Sequence, residues 1–107
     1  NSNTIITCRS SISIGNNCII GPNVMIFDHD HDISNGYVEK NKYVCENIEI
    51  GKNVWIGAGS IILKGSKIGD NSVIGAQSII KGEVPPDTVY IQKTTNVLKK
   101  MVKGDKF

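Results

Sequence analysis

The chain has 107 residues, which is one domain's worth, with only 6% aromatic residues and a formal net charge of +2. So mild a charge leaves no footprint for a nucleic-acid partner, and no apolar run approaches the roughly 20 residues of a membrane span. So few aromatic anchors would suit a globular core poorly, whereas a solenoid filled by stacked aliphatic residues does not need them.

The first residues, NSNTII, are already in phase with a six-residue repeat. That is the expectation for a fragment or a chain lacking an N-terminal segment, and no charged-then-apolar leader is visible. Counting in sixes places aliphatic openers at Ile14, Ile20 and Ile26, with Cys8 and Ser2 at the same phase. Companion sites for a small or branched residue fall at Ile6, Ile12, Cys18 and Val24, and Gly15 and Gly21 follow their isoleucines. Residues 2–27 therefore read as about four units, and Cys8 and Cys18 as buried small hydrophobes. With Cys45 the cysteine count is three, odd and without CxxC spacing. That argues against a disulfide framework and suits a reducing cytoplasm.

The pattern fails in Phe27-Asp28-His29-Asp30-His31-Asp32. Asp30 falls at an inward small site, where a carboxylate would be costly to bury, so the chain is expected to leave the coil here. The segment from Asp32 to Asn47 is polar, contains Gly36 and keeps no period, which marks an inserted loop of the length that usually carries function. Both histidines lie at its start and form the only cluster of neutral-pH proton carriers in the sequence. Three readings compete: solvated side chains at a loop start, a divalent metal site from His29, His31 and the aspartates, and a general base. H-x-H alone is a weak metal signal.

The repeat resumes with openers Ile50, Ile56, Ile62, Ile68, Ile74 and Ile80. Glycine follows at Gly51, Gly57, Gly69 and Gly75, and small residues stand at Val54, Ser60, Ser66, Ser72 and Ser78. A period of six is neither the 3.6 of a helix nor the 2 of an alternating strand. A short strand and a turn per unit fit it, with the opener inward, the glycine permitting the turn and the small residue filling the corner. Three units close a triangular coil. Pro85 and Pro86, which cannot donate ladder hydrogen bonds, are expected to stop the coil. Val89, Tyr90 and Ile91 make a last strand. Thr94 or Thr95 can cap a short helix whose stripe of Val97, Leu98, Met101 and Val102 covers the open end, followed by the frayed tail MVKGDKF. The expected organisation is a β-helix domain over 1–91 with an inserted loop over 32–47, and a capping helix and tail over 92–107.

These residues carry the signature of the hexapeptide-repeat proteins. The resemblance implies an all-β fold, a left-handed parallel β-helix; that hand is rare for parallel connections and comes from the resemblance, not from the period. The order of His31, a loop, the block IGKNVWIG at Ile50–Gly57, IGDNSVIGA at Ile68–Ala76 and VPP at Val84–Pro86 resembles the acetyl-CoA-dependent O-acetyltransferases of the galactoside, maltose and bacterial polysaccharide type. The likeness runs from about Ser13 to Pro86. It implies acetyl-CoA as co-substrate, a carbohydrate acceptor and a homotrimer with active sites between subunits. It implies His31 as general base, with His29 in reserve and Asp28 or Asp30 orienting the imidazole. By position, the Ala58 backbone N–H is the oxyanion donor, and Gly75 and Ala76 let the pantetheine arm run close to the coil. Trp55 lies near that arm or the acceptor, or else is a surface aromatic at a subunit contact. The position where the family carries a basic phosphate contact is Asn96 here, which leaves Lys93, Lys99 or Lys100 as candidates or as a solvated basic face, with Lys81 a further cofactor-binding candidate. The zinc carbonic anhydrases of the same fold need three histidines, and this chain has two, too close together. N-acetylation of an amino sugar, transfer of another acyl group, and a catalytically silent scaffold are the rival functions.

Overall fold

Each isoleucine opener supplies the inward side chain of a strand two or three residues long, and a four-residue corner then turns the chain onto the next face. In the computed structural model, which describes residues 2–104, these strands stack into three parallel sheets of four. The first face holds β1 (Ile5–Thr7), β4 (Met25–Phe27), β9 (Ile61–Ile62) and β12 (Ile79–Ile80). The second holds β2 (Ile12–Ile14), β7 (Ile48–Ile50), β10 (Lys67–Ile68) and β13 (Glu83–Val84). The third holds β3 (Ile19–Ile20), β8 (Trp55–Ile56), β11 (Val73–Ile74) and β14 (Val89–Tyr90). The remaining pair, β5 (His29–Asp32) and β6 (Glu39–Cys45), is an antiparallel hairpin.

The openers form the core. Ile50, Ile56, Ile62, Ile68, Ile74 and Ile80 are all buried, as are Val24, Ile26, Ile48, Val54 and Val84. In register, Ile50 stacks on Ile68 and Ile68 on Val84, while Ile56 stacks on Ile74 and Ile62 on Ile80. Each such side chain contributes about 1.5–3 kcal/mol of transfer free energy. Ser60, Ser66, Ser72 and Ser78 fill the corners, fully buried, and their hydroxyls donate to main-chain carbonyls, for example Ser72 to Pro85 O at 2.8 Å. A buried hydroxyl needs such a partner, and a corner carbonyl supplies it without taking space from the column.

The glycines after the openers serve a different purpose from the one their sequence suggests. None of them has positive φ. They are bare because coils touch there: a Cβ on Gly57 would lie 2.5 Å from Ala76 N of the next coil. The left-handed residue comes two positions later, at Asn17, Asn23, Asn53, Asn71, Gln77 and Gly59 among others. Asparagine tolerates that conformation best among residues with a Cβ. Stacked turns are also tied together, Asn53 donating to Asn71 and Asn71 to Asp87, each at 3.1 Å.

Several expectations are corrected. Ile6, not Cys8, stands in register with Ile26, so the corner Cys8–Ser11 carries two extra residues. Cys8 is therefore exposed; Cys18 is half-buried, and all three cysteines are free. Pro85 and Pro86 do not stop the coil: they occupy a corner, where no ladder N–H is required, and β14 follows in register with β11. The insertion begins at His29, not Asp32, and is an ordered hairpin. No helix occurs among the described residues. Val97, Leu98, Met101 and Val102 are strongly exposed, and the tail does not cover the column. A stripe this short is below the roughly 12–15 residues an isolated helix needs and has no surface to pack on. The last three residues of the expected frayed tail, Asp105–Phe107, lie outside the described residues.

Candidate active site

The hairpin leaves the corner between the first and second faces of the second coil. It lies between the matching corners of the coils on either side, Cys8–Ser11 and the two-residue Lys64–Gly65. Alternation along β5 and β6 separates two faces. His29 and His31 lie with Tyr43 and Cys45, toward Arg9; Asp30 and Glu46 lie toward Lys64. Lys64 Nζ is 3.3 Å from Asp30 and 3.5 Å from Glu46, and the hydrogen bond it donates to Asp30 raises its pKa against the opposing effect of burial.

The neck is held by Asp28, whose carboxylate is fully buried. It accepts the main-chain N–H groups of Arg9, Ser10 and Ser11 at 2.8–2.9 Å and contacts His29 Nδ1 at 3.0 Å. Burial pushes the Asp28 pKa up, but the bonds from Arg9, His29, Ser10 and Ser11 outweigh it and hold the carboxyl well below the usual range. The extra residues of the first corner thus exist to bring three N–H groups onto one carboxylate. Asp28 O also accepts the N–H of Glu46 at 2.9 Å, closing the neck. At the tip, Asp32 accepts the N–H of Ser34 at 2.8 Å, which lowers its pKa.

His31 is exposed and stacks on Tyr43, with ring centroids 4.9 Å apart and planes at 30°. His29 meets the same tyrosine edge-on at 5.5 Å and is only 16% exposed. Among the described residues no carboxylate bonds the His31 ring: Asp28 is committed to His29 and the first corner, and Asp30 to Lys64. The expected orienting role of either aspartate toward His31 is thus not what this geometry offers. A cavity of about 490 Å³ on the hairpin is lined by Asp30, His31, Asp32, Ile33, Ser34, Val44 and Lys64, so His31 borders it.

A second concavity, about 440 Å³, runs along the corner between the third and first faces. Gly21, Pro22, Gly57, Ala58, Gly75 and Ala76 form its floor, with Trp55 and Val73 as its wall. Four residues singled out in the sequence, Trp55, Ala58, Gly75 and Ala76, therefore come together here. Trp55 is 53% exposed, so its indole is available to a ligand or a neighbour. The Ala58 N–H donates no hydrogen bond among the described residues, although the Ala58 carbonyl accepts from Gln77. Lys81 is exposed at the opposite edge of the first face, and Lys93 and Lys99 are exposed in the tail; none of the three lines the groove. Sequence reasoning missed Tyr43, Arg9 and Lys64, which reveal themselves only when β5 and β6 are paired and the neighbouring corners stacked.

Three parallel faces, small-residue corners and a hairpin thrust from one of them define a left-handed β-helix of the hexapeptide type. Residues 38–82 match the model of the bacterial transferase hexapeptide (six repeats), and residues 2–27 that of the hexapeptide repeat of succinyl-transferase. The chain belongs to the hexapeptide-repeat family, and it is similar to galactoside and maltose acetyltransferases. A galactoside acetyltransferase in complex with coenzyme A is 38% identical, with a TM-score of 0.70 over 82% of this chain and 50% of that one. A hexapeptide-repeat acetyltransferase from Vibrio cholerae O1 biovar eltor, complexed with acetyl-coenzyme A, is 32% identical, with a TM-score of 0.75 over 81% of this chain and 48% of that one. A maltose O-acetyltransferase from Clostridium difficile 630 is 36% identical, with a TM-score of 0.71 over 95% of this chain and 58% of that one. The chain thus spans about half the length of these relatives. Comparison with curated protein sequences gives no match.

Proposed function

We propose that this chain is the catalytic β-helix of an acetyl-CoA-dependent O-acetyltransferase whose acceptor is a hydroxyl of a sugar or polysaccharide precursor. The groove of bare corners beside Trp55 carries the reading. Small residues let an extended pantetheine arm lie against the coil, and the related structures with coenzyme A and acetyl-coenzyme A support that ligand. In this reading the neutral His31 imidazole takes the proton of the acceptor hydroxyl as its oxygen attacks the thioester carbonyl. The oxyanion that forms is met by the unpartnered N–H of Ala58. The tetrahedral adduct collapses, the C–S bond breaks, and the imidazolium returns its proton to the departing thiolate. Positioning both substrates contributes more than proton transfer alone. Lys81, Lys93 and Lys99 remain candidates for the phosphate end.

The groove and the hairpin sit at different corners of one chain, so the reading requires the hairpin of one copy to meet the groove of another, as in a homotrimer. The outward ladders support this. Ile5, Met25, Ile61 and Ile79 cover the first face, and Ile19, Trp55, Val73 and Val89 the third. The second face presents Ser13, Glu49, Lys67 and Glu83 instead. Two apolar faces and one charged face are what a ring of three prisms needs. Three free thiols suit a reducing compartment, and we assign the reaction to the cytoplasm.

A second reading makes His29 the base, since its Nδ1 bond to buried Asp28 fixes a tautomer with Nε2 free to accept a proton. His31 is preferred because it is exposed and His29 is largely covered. An amine acceptor would use the same groove and base. Thiol release from acetyl-CoA, measured with neutral sugars, amino sugars and no acceptor, tests the reaction. Release with His31→Ala equal to wild type would overturn the base assignment, and no release with any acceptor would overturn the activity.

A further inference from the structure

We infer that Tyr43, braced by Arg9, is a positioning residue that sets the orientation of the His31 imidazole; the inference rests on reading His31 as the base. The problem it solves is visible in the geometry. His31 is exposed on a two-stranded hairpin, and among the described residues no hydrogen bond restrains its ring. An exposed imidazole samples several rotamers, and each misplacement of a base by about 1 Å can cost on the order of a hundredfold. Tyr43 stands directly opposite His31 across the hairpin and stacks with it at 4.9 Å. Cross-strand pairs at this spacing restrain one another.

The tyrosine is fixed in turn. The Arg9 guanidinium carbon lies 3.5 Å from the centre of its ring, a cation–π contact, and His29 abuts it edge-on. Arg9 belongs to the corner lengthened by two residues, and its own N–H is bonded to buried Asp28 at 2.9 Å. His29, the other neighbour of Tyr43, is bonded to the same carboxylate. One buried carboxylate therefore anchors both groups that hold the tyrosine, and the tyrosine holds the base. Neither a solvated loop nor a coil of ordinary corner length would provide this sequence of contacts.

The test begins on unmodified protein. NMR of the histidine rings should show cross-relaxation between His31 and Tyr43 ring protons and a ring-current shift at His31. The absence of both overturns the inference whether or not any acetyl transfer is found. Next come Tyr43→Phe, which keeps the stack, Tyr43→Leu, which keeps an apolar strand residue without it, and Arg9→Gln. Tyr43→Phe should stay within about twofold of wild type in kcat. Tyr43→Leu should lose about 10- to 100-fold in kcat with the KM for acetyl-CoA unchanged. Arg9→Gln should lose less in the same direction and shift the His31 resonances. A purely structural role predicts instead a lower Tm with kcat per folded molecule retained, and that result overturns the inference. If Tyr43→Leu does not fold, the Arg9→Gln resonances and kcat decide. Failure of the proposed reaction is seen separately, as wild-type protein that shows the stacked rings but transfers no acetyl group.

Discussion

Asp28 Oδ1 lies 3.0 Å from His29 Nδ1, and the same carboxylate, fully buried, gathers three main-chain N–H groups from a corner almost twenty residues earlier. The pair joins the first coil to the base of the hairpin, so stability and site geometry share one group. Replacing Asp28 with Asn keeps the shape but removes the charge and one acceptor. The expected loss is about 1.5–3 kcal/mol, read as a lower urea midpoint at pH 7. The pH dependence has a definite sign. The folded pKa of Asp28 is depressed, so its contribution is complete above the ordinary unfolded carboxylate value of about 3.9 and disappears as pH falls from there toward the folded value. Wild type should therefore lose stability below about pH 4 more steeply than Asp28→Asn, and parallel curves for the two proteins would contradict the assignment.

The groove makes a prediction about binding that spares the fold. Ala58 lies at a corner, partly exposed, on the floor of the concavity beside Trp55. Ala58→Leu adds bulk into the groove and leaves the isoleucine column untouched. The KM for acetyl-CoA should rise by at least about tenfold, equivalent to roughly 1.4 kcal/mol of lost binding, with Tm nearly unchanged. Titration calorimetry with coenzyme A checks it directly. Unchanged affinity would remove the pantetheine arm from this corner.

Much of this architecture could be read from the residues, and the failures have physical causes. Ile50 through Ile80 repeat without interruption, so the column, the small corners and the resumption after the loop were legible. The phase of the first coil was not. Ile6 and Ile12 are both aliphatic, so a corner with two extra residues between them leaves the pattern looking intact and puts Cys8 in the wrong place. The hairpin strand Glu39–Cys45, EKNKYVC, sends neither face into the core, so it carries no apolar alternation to detect. Tyr43 gains its meaning from pairing with His31, and Arg9 from the stacking of corners far apart in sequence; neither relation has a local signal. The apolar residues at Val97, Leu98, Met101 and Val102 have helical spacing but no surface against which to spend it.

Close stacking of coils separates two kinds of core substitution. Ile62 is completely buried in the column, and Ile62→Ala should cost about 2–5 kcal/mol through lost burial and a residual cavity. Gly57→Ala adds a single methyl group, yet its Cβ would meet Ala76 N at 2.5 Å and Ile74 O at 2.8 Å, both main-chain atoms that cannot swing aside. That overpacking should cost about 1–3 kcal/mol even though alanine is favoured over glycine on entropic grounds. Denaturant titration of both variants checks the comparison. A Gly57→Ala protein as stable as wild type would mean that the coils separate more easily than their hydrogen-bond ladder suggests.

The outward ladders predict which surface changes alter assembly. Ile61 sits between Met25 and Ile79 on the first face, and Val73 beside Trp55 and Val89 on the third. Both are only partly exposed in the single chain, so their neighbours already form apolar strips along the axis. A glutamate at either position would place an unpaired charge in the contact between copies, where desolvation outweighs any attraction available to it. Ile61→Glu and Val73→Glu should each shift sedimentation toward the monomer and abolish acetyl transfer, because hairpin and groove no longer meet. Lys67→Glu on the second face joins Glu49 and Glu83 in a solvated row and should leave the assembly unchanged. Monomeric wild type that still transfers acetyl groups would show that one chain completes the site alone, against the separation of its hairpin and groove.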